Sequence, residues 1–365
     1  MRKLFEKLFI YLNYIFAGAL LLSYLSTHIS PEHFWPLSFF GLAFPVLFII
    51  NMIFFIVWLF KWKRVLVISL LAIVLGYNHM RDTLPLVFKK RDKTVNQTGT
   101  NLKVLSYNVR VFNIYEWLSD PNTDKGIFNF IRSEHPDVIC LQEFFTNKDS
   151  DFSPERLKVL FGETPYSHIE YSLKKSENTG FGIATFSRYP IVDRGVINFD
   201  GSPNLSIYTD ILFNKDTIRI FNNHLQSINL RANNYAFLDS LQIRYDEKQL
   251  KELQDLSSKL KQAYMKRARQ VKKVSSVMKE SSHPMIVCGD FNDTPVSFAY
   301  NKIRGNLKDA WVESGKGRGN TYLGRLSFRI DFILYDSYFQ ALEFERVKTQ
   351  LSDHYPIYAI LKTYP

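Results

Sequence analysis

Cysteine is nearly absent: Cys140 and Cys288 are the two among 365 residues. A disulfide framework is thereby excluded. Each cysteine sits in a short apolar run, DVICL or MIVCG, and reads as a small core residue. Charge is missing from three long stretches, since no Asp, Glu, Lys or Arg occurs between Leu8 and Pro31, His33 and Phe60, or Val65 and Met80. The first two exceed the roughly 20 apolar residues that cross a hydrocarbon core. The third is shorter and ends on Gly76, Tyr77, Asn78 and His79. Buried helices of a soluble protein would carry a polar face, which these stretches lack. No small-residue cleavage site precedes Glu32, so a removed signal peptide is disfavoured. A single-sign field is also missing. Of the net charge of +11, more than half lies in residues 1–90, with nine Lys or Arg against three Asp or Glu. The remainder carries 37 against 32, little support for a nucleic-acid-binding face.

What is present is apolar material, 46% of residues with 31 Phe and 20 Tyr, enough for a large core. Residues 1–90 are expected to form a membrane anchor of two to three transmembrane helices. It would meet the lipid bilayer through residues 8–80 of an inner (cytoplasmic) membrane. In a hairpin of the first two spans, Arg2, Lys3 and Lys7 share a side with Lys61, Lys63 and Arg64. The opposite loop, around Glu32 and His33, has no Lys or Arg, which places the N-terminus in the cytoplasm. A third span would carry the rest outside. The cluster Arg81, Lys89, Lys90, Arg91 and Lys93 opposes this, but large domains translocate largely regardless of charge. The expectation is therefore an extracytoplasmic domain. Residues 91–101 (RDKTVNQTGTN) read as a linker.

From residue 102 to 365 short apolar runs alternate with helical segments. Strands are expected at LKVLSY (102–107), DVICL (137–141), GIATF (182–186), LSIYTDILF (205–213) and TIRIFNN (217–223). Further strands are expected at MIVCG (285–289), RIDFILY (329–335), FERVKTQL (344–351) and PIYAIL (356–361). DVICL and MIVCG are apolar throughout, as strands covered on both faces are. LSIYTDILF and TIRIF alternate, as strands wet on one face do. The expected fold is an α+β (α/β) sandwich of two packed mixed β-sheets flanked by helices, preceded by the transmembrane helical anchor. Residues 244–280 are helix-like and highly charged, and the long charged segment 231–280 reads as a solvated surface helix with i, i+4 ion pairs, a substrate-gating or membrane-facing element being the alternative. GKGRGNTY (315–322) reads as a loop near the site, since it does not open a helix as a P-loop would.

Polar residues recur where these strands stop. Asn108 ends LKVLSYN, Glu143 follows DVICLQ, His224 ends TIRIFNNH, Asp290 and Asn292 follow MIVCG, and Asp353 and His354 open the last strand. Sites in sheet-based folds are assembled at one edge in this way. Singly, each has a bland reading: Glu143 as a solvated turn residue, GDFND as a turn, His224 as a loop histidine, SDH as a cap. Asp331, mid-strand in RIDFIL, is harder to dismiss, because a buried carboxylate needs a cation or donors and a histidine is a natural partner.

Taken in order, YNVR, LQE, NHL, GDFN, RIDFIL and SDH resemble the endonuclease/exonuclease/phosphatase superfamily, with its deoxyribonuclease-I-like fold, over roughly residues 102–365. The resemblance implies a phosphate-ester hydrolase. Glu143 would be the main ligand of a divalent cation, with Asn108 and Asp353 helping. Oxygen ligands suit a hard ion, Mg²⁺ by preference and Mn²⁺ as the alternative. Asp290 would orient and deprotonate the attacking water, and Asn292 would steady that Asp or the phosphate. His354, paired with Asp331, would serve a non-bridging oxygen or the leaving group, and His224 would face it across the phosphate. Arg110 stands where abasic-site repair enzymes typically have an acid, and His224 where they have Tyr. Both point to the branch with deoxyribonuclease I, sphingomyelinases and lipid or sugar phosphatases, and Arg110 joins Asn292 and His224 as a substrate-binding candidate. Nucleic acid, phospholipid and small-molecule phosphate esters all remain as substrates, and no protein partner is expected. The competing classes are a catalytically silent, membrane-tethered scaffold of the same fold, and a transporter or sensor. The filled polar positions oppose the first, and spans without charge oppose the second.

Overall fold

The computed structural model describes residues 2–84, 99–228, 247–317, 319–324 and 327–364. Most of the expected linker, Lys89 to Lys93 and the start of the charged segment after His224 lie outside the described residues. By contacts the chain forms two compact units. One comprises residues 1–80, 226–272 and 294–302; the other comprises residues 81–225, 273–293 and 303–365.

In the first unit the apolar stretches become helices α1 (Arg2–Leu25), α4 (Phe44–Phe60) and α5 (Leu66–Leu75). Lys3–Leu25 is long and apolar enough to cross a membrane, whereas α4 and α5 are shorter. The charge-free stretch from His33 to Phe60 is not one helix. Its first part folds as α2 (Pro31–Phe34) and α3 (Leu37–Leu42), where Pro31 and Pro36 suit helix starts. The few polar side chains between helices find partners there. Asn13 Nδ2 donates to Ser69 Oγ at 2.7 Å, and Asn51 Nδ2 donates to Phe16 O at 3.0 Å. Helix α6 (Tyr77–Thr83) continues the chain into the second unit.

The second unit is a sandwich of two six-stranded mixed sheets. One contains β1 (Asn101–Asn108), β2 (Val138–Asn147), β3 (Tyr166–Lys174), β4 (Thr179–Ser187), β11 (Phe339–Arg346) and β12 (Ile357–Thr363). Its order is β11-β12-β1-β2-β4-β3. The other contains β5 (Ile191–Asn198), β6 (Leu205–Phe213), β7 (Asp216–His224), β8 (Met285–Asp290), β9 (Lys308–Asp309) and β10 (Asp331–Tyr335). Its order is β5-β6-β7-β8-β10-β9. Parallel pairs β1/β2 and β7/β8 sit within otherwise antiparallel neighbours. The inner faces interlock through Val104, Cys140, Ile220, Cys288, Ile333 and Ala359, all fully buried. Both cysteines are free and buried. Helix α7 (Thr123–Ser133) covers the outer face of the first sheet with Ile127, Phe128 and Ile131, and α8 (Pro154–Leu160) adds Leu157. Among the described residues the remaining α-helices are α9 (Glu247–Lys279), α10 (Phe298–Arg304) and α11 (Ala310–Ser314).

Two sequence expectations need correction. FERVKTQL (344–351) is not a strand as a whole: β11 begins at Phe339 and ends at Arg346, before the strand partner turns away. β3 and β5 were not anticipated, because both are edge strands whose charged, half-exposed residues blur the alternation. LSIYTDILF forms β6 as expected, with Ile207, Thr209 and Ile211 buried on one face and Tyr208 and Leu212 partly open on the other, where Asp210 is nevertheless buried. Asp210 is tolerated because Arg219 Nε and Nη2 each bond one of its oxygens at 2.7 Å. Replacing Asp210 by Ala leaves Arg219 largely buried without its partner and is expected to cost about 3 kcal/mol in thermal unfolding. Replacing both residues by Leu should recover most of that loss.

Candidate active site

Strand register alone gathers the polar ends. β7 and β8 are parallel with His224 beside Asp290, and β10 runs antiparallel along β8 with Asp331 opposite Asp290. In the other sheet Asn108 pairs with Gln142, so Glu143 falls one residue past the end of β1. Local backbone devices then aim the side chains. A bulge in β2 between Leu141 and Phe144 holds Glu143 at φ 47°. Asn292 turns back at φ 53°, and its N–H donates to Asp290 Oδ1 at 2.8 Å. Gly289 has φ 131°, and a Cβ there would run into Asn223 O, so the G of GDFN admits no side chain. Residues 110–113 all take positive φ, from 42° to 60°. That left-handed turn costs roughly 1–2 kcal/mol per residue. It is held by the buried Val111 and Phe112 and by Asn113, whose amide bonds both Leu118 O and Leu118 N.

Asp290 lies at the centre, 1% exposed. Its Oδ2 accepts from Asn108 Nδ2 and Asn292 Nδ2, each at 3.1 Å, and faces His354 Nε2 at 3.7 Å and His224 Nε2 at 4.0 Å. Burial pushes its carboxyl up to about 6 although both histidines oppose the shift. His354 Nδ1 is 2.9 Å from Asp331 Oδ2. Burial pushes His354 down, but Asp331 and then Asp290 outweigh it and raise the imidazole to about 10. Thr321 Oγ1 accepts from the N–H groups of Ile330 and Asp331, both at 3.1 Å, fixing the start of β10.

Glu143 Oε1 accepts from Asn108 Nδ2 at 3.2 Å and stands 3.7 Å from His224 Nε2. That His224 nitrogen is buried and has no hydrogen-bond partner among the described residues. The register and these bonds bring Asn108, Glu143, His224, Asp290, Asn292, Asp331 and His354 into one cluster. Asp353 and Arg110 stand at its edge as an ion pair of 3.4 Å. They are joined to it by Ser352, whose Oγ donates to Asn108 O at 2.8 Å.

A divalent cation fits the half-exposed carboxylate of Glu143, a hard oxygen donor. In this geometry Asn108 turns its amide nitrogen toward Glu143 and uses its oxygen for Arg110 N at 3.1 Å. Asp353 is engaged by Arg110. Asp290, Asp331 and His354 also present atoms within 4.8 Å of one another. Within that trio His354 Nδ1 is engaged by Asp331 Oδ2 at 2.9 Å and Nε2 faces Asp290 Oδ2 at 3.7 Å. Sequence reasoning missed Tyr322, whose ring lies 5.2 Å from that of His354 and which bridges to it as an isolated β-pair. It also missed Leu225, whose O accepts from Asn292 Nδ2 at 3.0 Å. GKGRGNTY, apart from Arg318, which lies outside the described residues, ends at this tyrosine; the signal was its position just before Asp331. Replacing Gly289 by Ala is expected to lower stability by roughly 3 kcal/mol through backbone strain and the clash with Asn223, read as a drop in thermal midpoint.

Residues 105–354 match the endonuclease/exonuclease/phosphatase family, and residues 6–83 match a domain of unknown function. No curated protein matches the chain. Among solved structures, an endonuclease/exonuclease/phosphatase from Beutenbergia cavernae is 16% identical over 72% of each chain, with a TM-score of 0.52. Another from Bacteroides vulgatus is 17% identical over 73% of this chain and all of its own, with a TM-score of 0.51. The human Nocturnin catalytic domain with bound sulfate anion is 16% identical over 72% of this chain and 94% of its own, with a TM-score of 0.50. These likenesses concern the fold. Strand order, site register and the profile match over most of the sequence agree, and the chain belongs to the endonuclease/exonuclease/phosphatase family.

Proposed function

We propose that the chain is a membrane-anchored hydrolase of phosphomonoesters or phosphodiesters that depends on a divalent cation, Mg²⁺ by preference. Residues 1–90 would be the anchor, 91–101 the linker and 102–365 the catalytic domain, on the extracytoplasmic side by the Lys and Arg asymmetry of the loops. One observation carries the reading: a buried aspartate, Asp290, is held by three donor contacts from Asn108 and Asn292 between two histidines. Structural acids do not need that arrangement, whereas an in-line attack on phosphorus does.

Asp290 is poised to accept a proton from water near neutral pH, because burial has brought it up to about 6. Asn292 and Asn108 fix which oxygen faces the water. His354, kept protonated by Asp331, supplies a proton or a hydrogen bond to an oxygen of the phosphoryl group. His224 offers a second nitrogen, Nε2, that has no hydrogen-bond partner among the described residues. Arg110 lies one ion pair away as a positive charge for the rest of the substrate. Glu143 would hold the cation, helped by Asn108 and Asp353 once their oxygens are released from Arg110, and the cation would supply charge neutralisation at the phosphate.

The test uses the full chain in detergent micelles with bis-p-nitrophenyl phosphate, p-nitrophenyl phosphate, plasmid DNA and mixed phospholipids. Activity should vanish in EDTA, return with Mg²⁺, and fall roughly 10²–10⁴-fold in Asp290→Asn. Undiminished turnover in EDTA or in that variant would contradict the reading. The pH profile should rise as Asp290 ionises near 6 and fall as His354 loses its proton near 10. Asp331→Asn removes the larger of the charges that raise His354, so its alkaline limb should move to lower pH.

A further inference from the structure

We infer that the N-terminal unit is more than a tether: its segment between α1 and α4, residues 26–43, positions the loops that carry Asn292 and His224. The inference rests on the catalytic assignment of Asp290 and Asn292 above and gives the residues matching the domain of unknown function a part in the reaction.

Residues 294–302 and 226–272 belong to the same compact unit as residues 1–80. Val296 is 2% exposed and packs in one cluster with Ala17, Leu20, Phe44, Leu47, Phe48 and Ala72. Ser26 Oγ donates to Val296 O at 3.4 Å, and Asn301 Nδ2 donates to Thr27 O at 3.0 Å. Gly41 closes the joint. A Cβ at that position would collide with both Ser26 Oγ and Val296 O, so only a glycine lets α3 come this close.

A second fastening runs through α9. Glu32 pairs with Arg269 at 3.0 Å and Lys272 at 2.5 Å. Phe39 meets Tyr264 edge-on at 6.1 Å, and Lys261 lies 5.1 Å over Trp35. The exposed ion pairs contribute little. The buried side of α9 does more: Arg267, 1% exposed, donates to Gln226 O at 2.9 Å, and Gln270 Oε1 accepts from Gln226 N at 2.9 Å.

Chain continuity carries these holds to the chemistry. Val296 is four residues after Asn292 and Gln226 is two after His224, spans of at most about 14 Å and 7 Å of extended chain. The two loops also hold each other, through Asn292 Nδ2 and Leu225 O. Asn292 sits at φ 53°, a conformation that persists only when its surroundings over-determine it. Releasing the Val296 end removes part of that constraint. Asn292 N then no longer fixes Asp290 Oδ1, and the base loses its aim while Glu143, on β2, stays in place. Gly41, Ser26, Val296 and Asn301 are thus positioning residues.

The signature is a fall in kcat that exceeds any change in KM. The full chain in detergent micelles is assayed on bis-p-nitrophenyl phosphate with Mg²⁺. Gly41→Ala should lower kcat by about tenfold and Gly41→Val by about a hundredfold, the scale of a 1 Å misplacement, with KM within twofold. Val296→Ile should retain activity, whereas Val296→Ala, which adds no bulk at the joint, and Asn301→Leu, which removes the bond to Thr27 O, should each lose several-fold in kcat. Wild-type kcat in Val296→Ala and Asn301→Leu would overturn the inference even if the Gly41 variants fail to fold. Asp290→Asn runs alongside. If it is inactive while the joint variants are fully active, the anchor role alone is lost; if it is fully active, the catalytic assignment itself is wrong.

Discussion

A carboxylate taken out of water must find a cation or donors, and this fold buries two, Asp290 and Asp331, around a single imidazole. His354 serves both: Nδ1 meets Asp331 at 2.9 Å and Nε2 faces Asp290 at 3.7 Å. Burial raises Asp290 against the pull of both histidines, while the two acids raise His354 against its burial. His354 is held protonated far above the usual imidazole range, and Asp290 is left needing a proton near neutrality. Because the folded-state value of His354 lies above its unfolded one, its contribution to stability is complete below about pH 6.5 and is lost as pH rises through about 10. The same charge arrangement that suits proton transfer also holds the strand ends together.

Everything around this group serves to keep it in place. The parallel pairing of β7 with β8 and the antiparallel pairing of β10 with β8 set His224, Asp290 and Asp331 in one row. The bulge at Glu143, the glycine at 289 and the left-handed turn at 110–113 place backbone strain around that row, where packing of Val111 and Phe112 can hold it. The joint at Gly41 and Val296 extends the same logic to the helical unit: a loop that must hold Asn292 at positive φ is fixed at its far end as well.

Much of this was legible in the residues. Central strands such as β2 and β8 announce themselves because both their faces are apolar or nearly so, and a polar residue ending such a run has few structural excuses. The ordered set from YNVR to SDH therefore led to the fold and to the cluster. Edge strands β3 and β5 were hidden because a half-exposed strand tolerates Asp, Arg and Glu. Tyr322 and Leu225 were invisible for another reason: one contributes a ring and the other a carbonyl, and neither leaves a compositional mark. Val296 and Asn301 look like ordinary loop and helix residues, and Gly41 like a small residue in an apolar stretch. Their meaning lies in contacts made more than 250 residues away in sequence.

The shared imidazolium is the most direct point of test. In the full chain labelled with ¹⁵N-histidine and assigned by His354→Gln, the account predicts ring nitrogens of His354 that stay protonated through pH 8 and titrate near 10. A His354 ring that is neutral at pH 7 would contradict it, because Asp290 and Asp331 would then be buried without the charge on which the site depends.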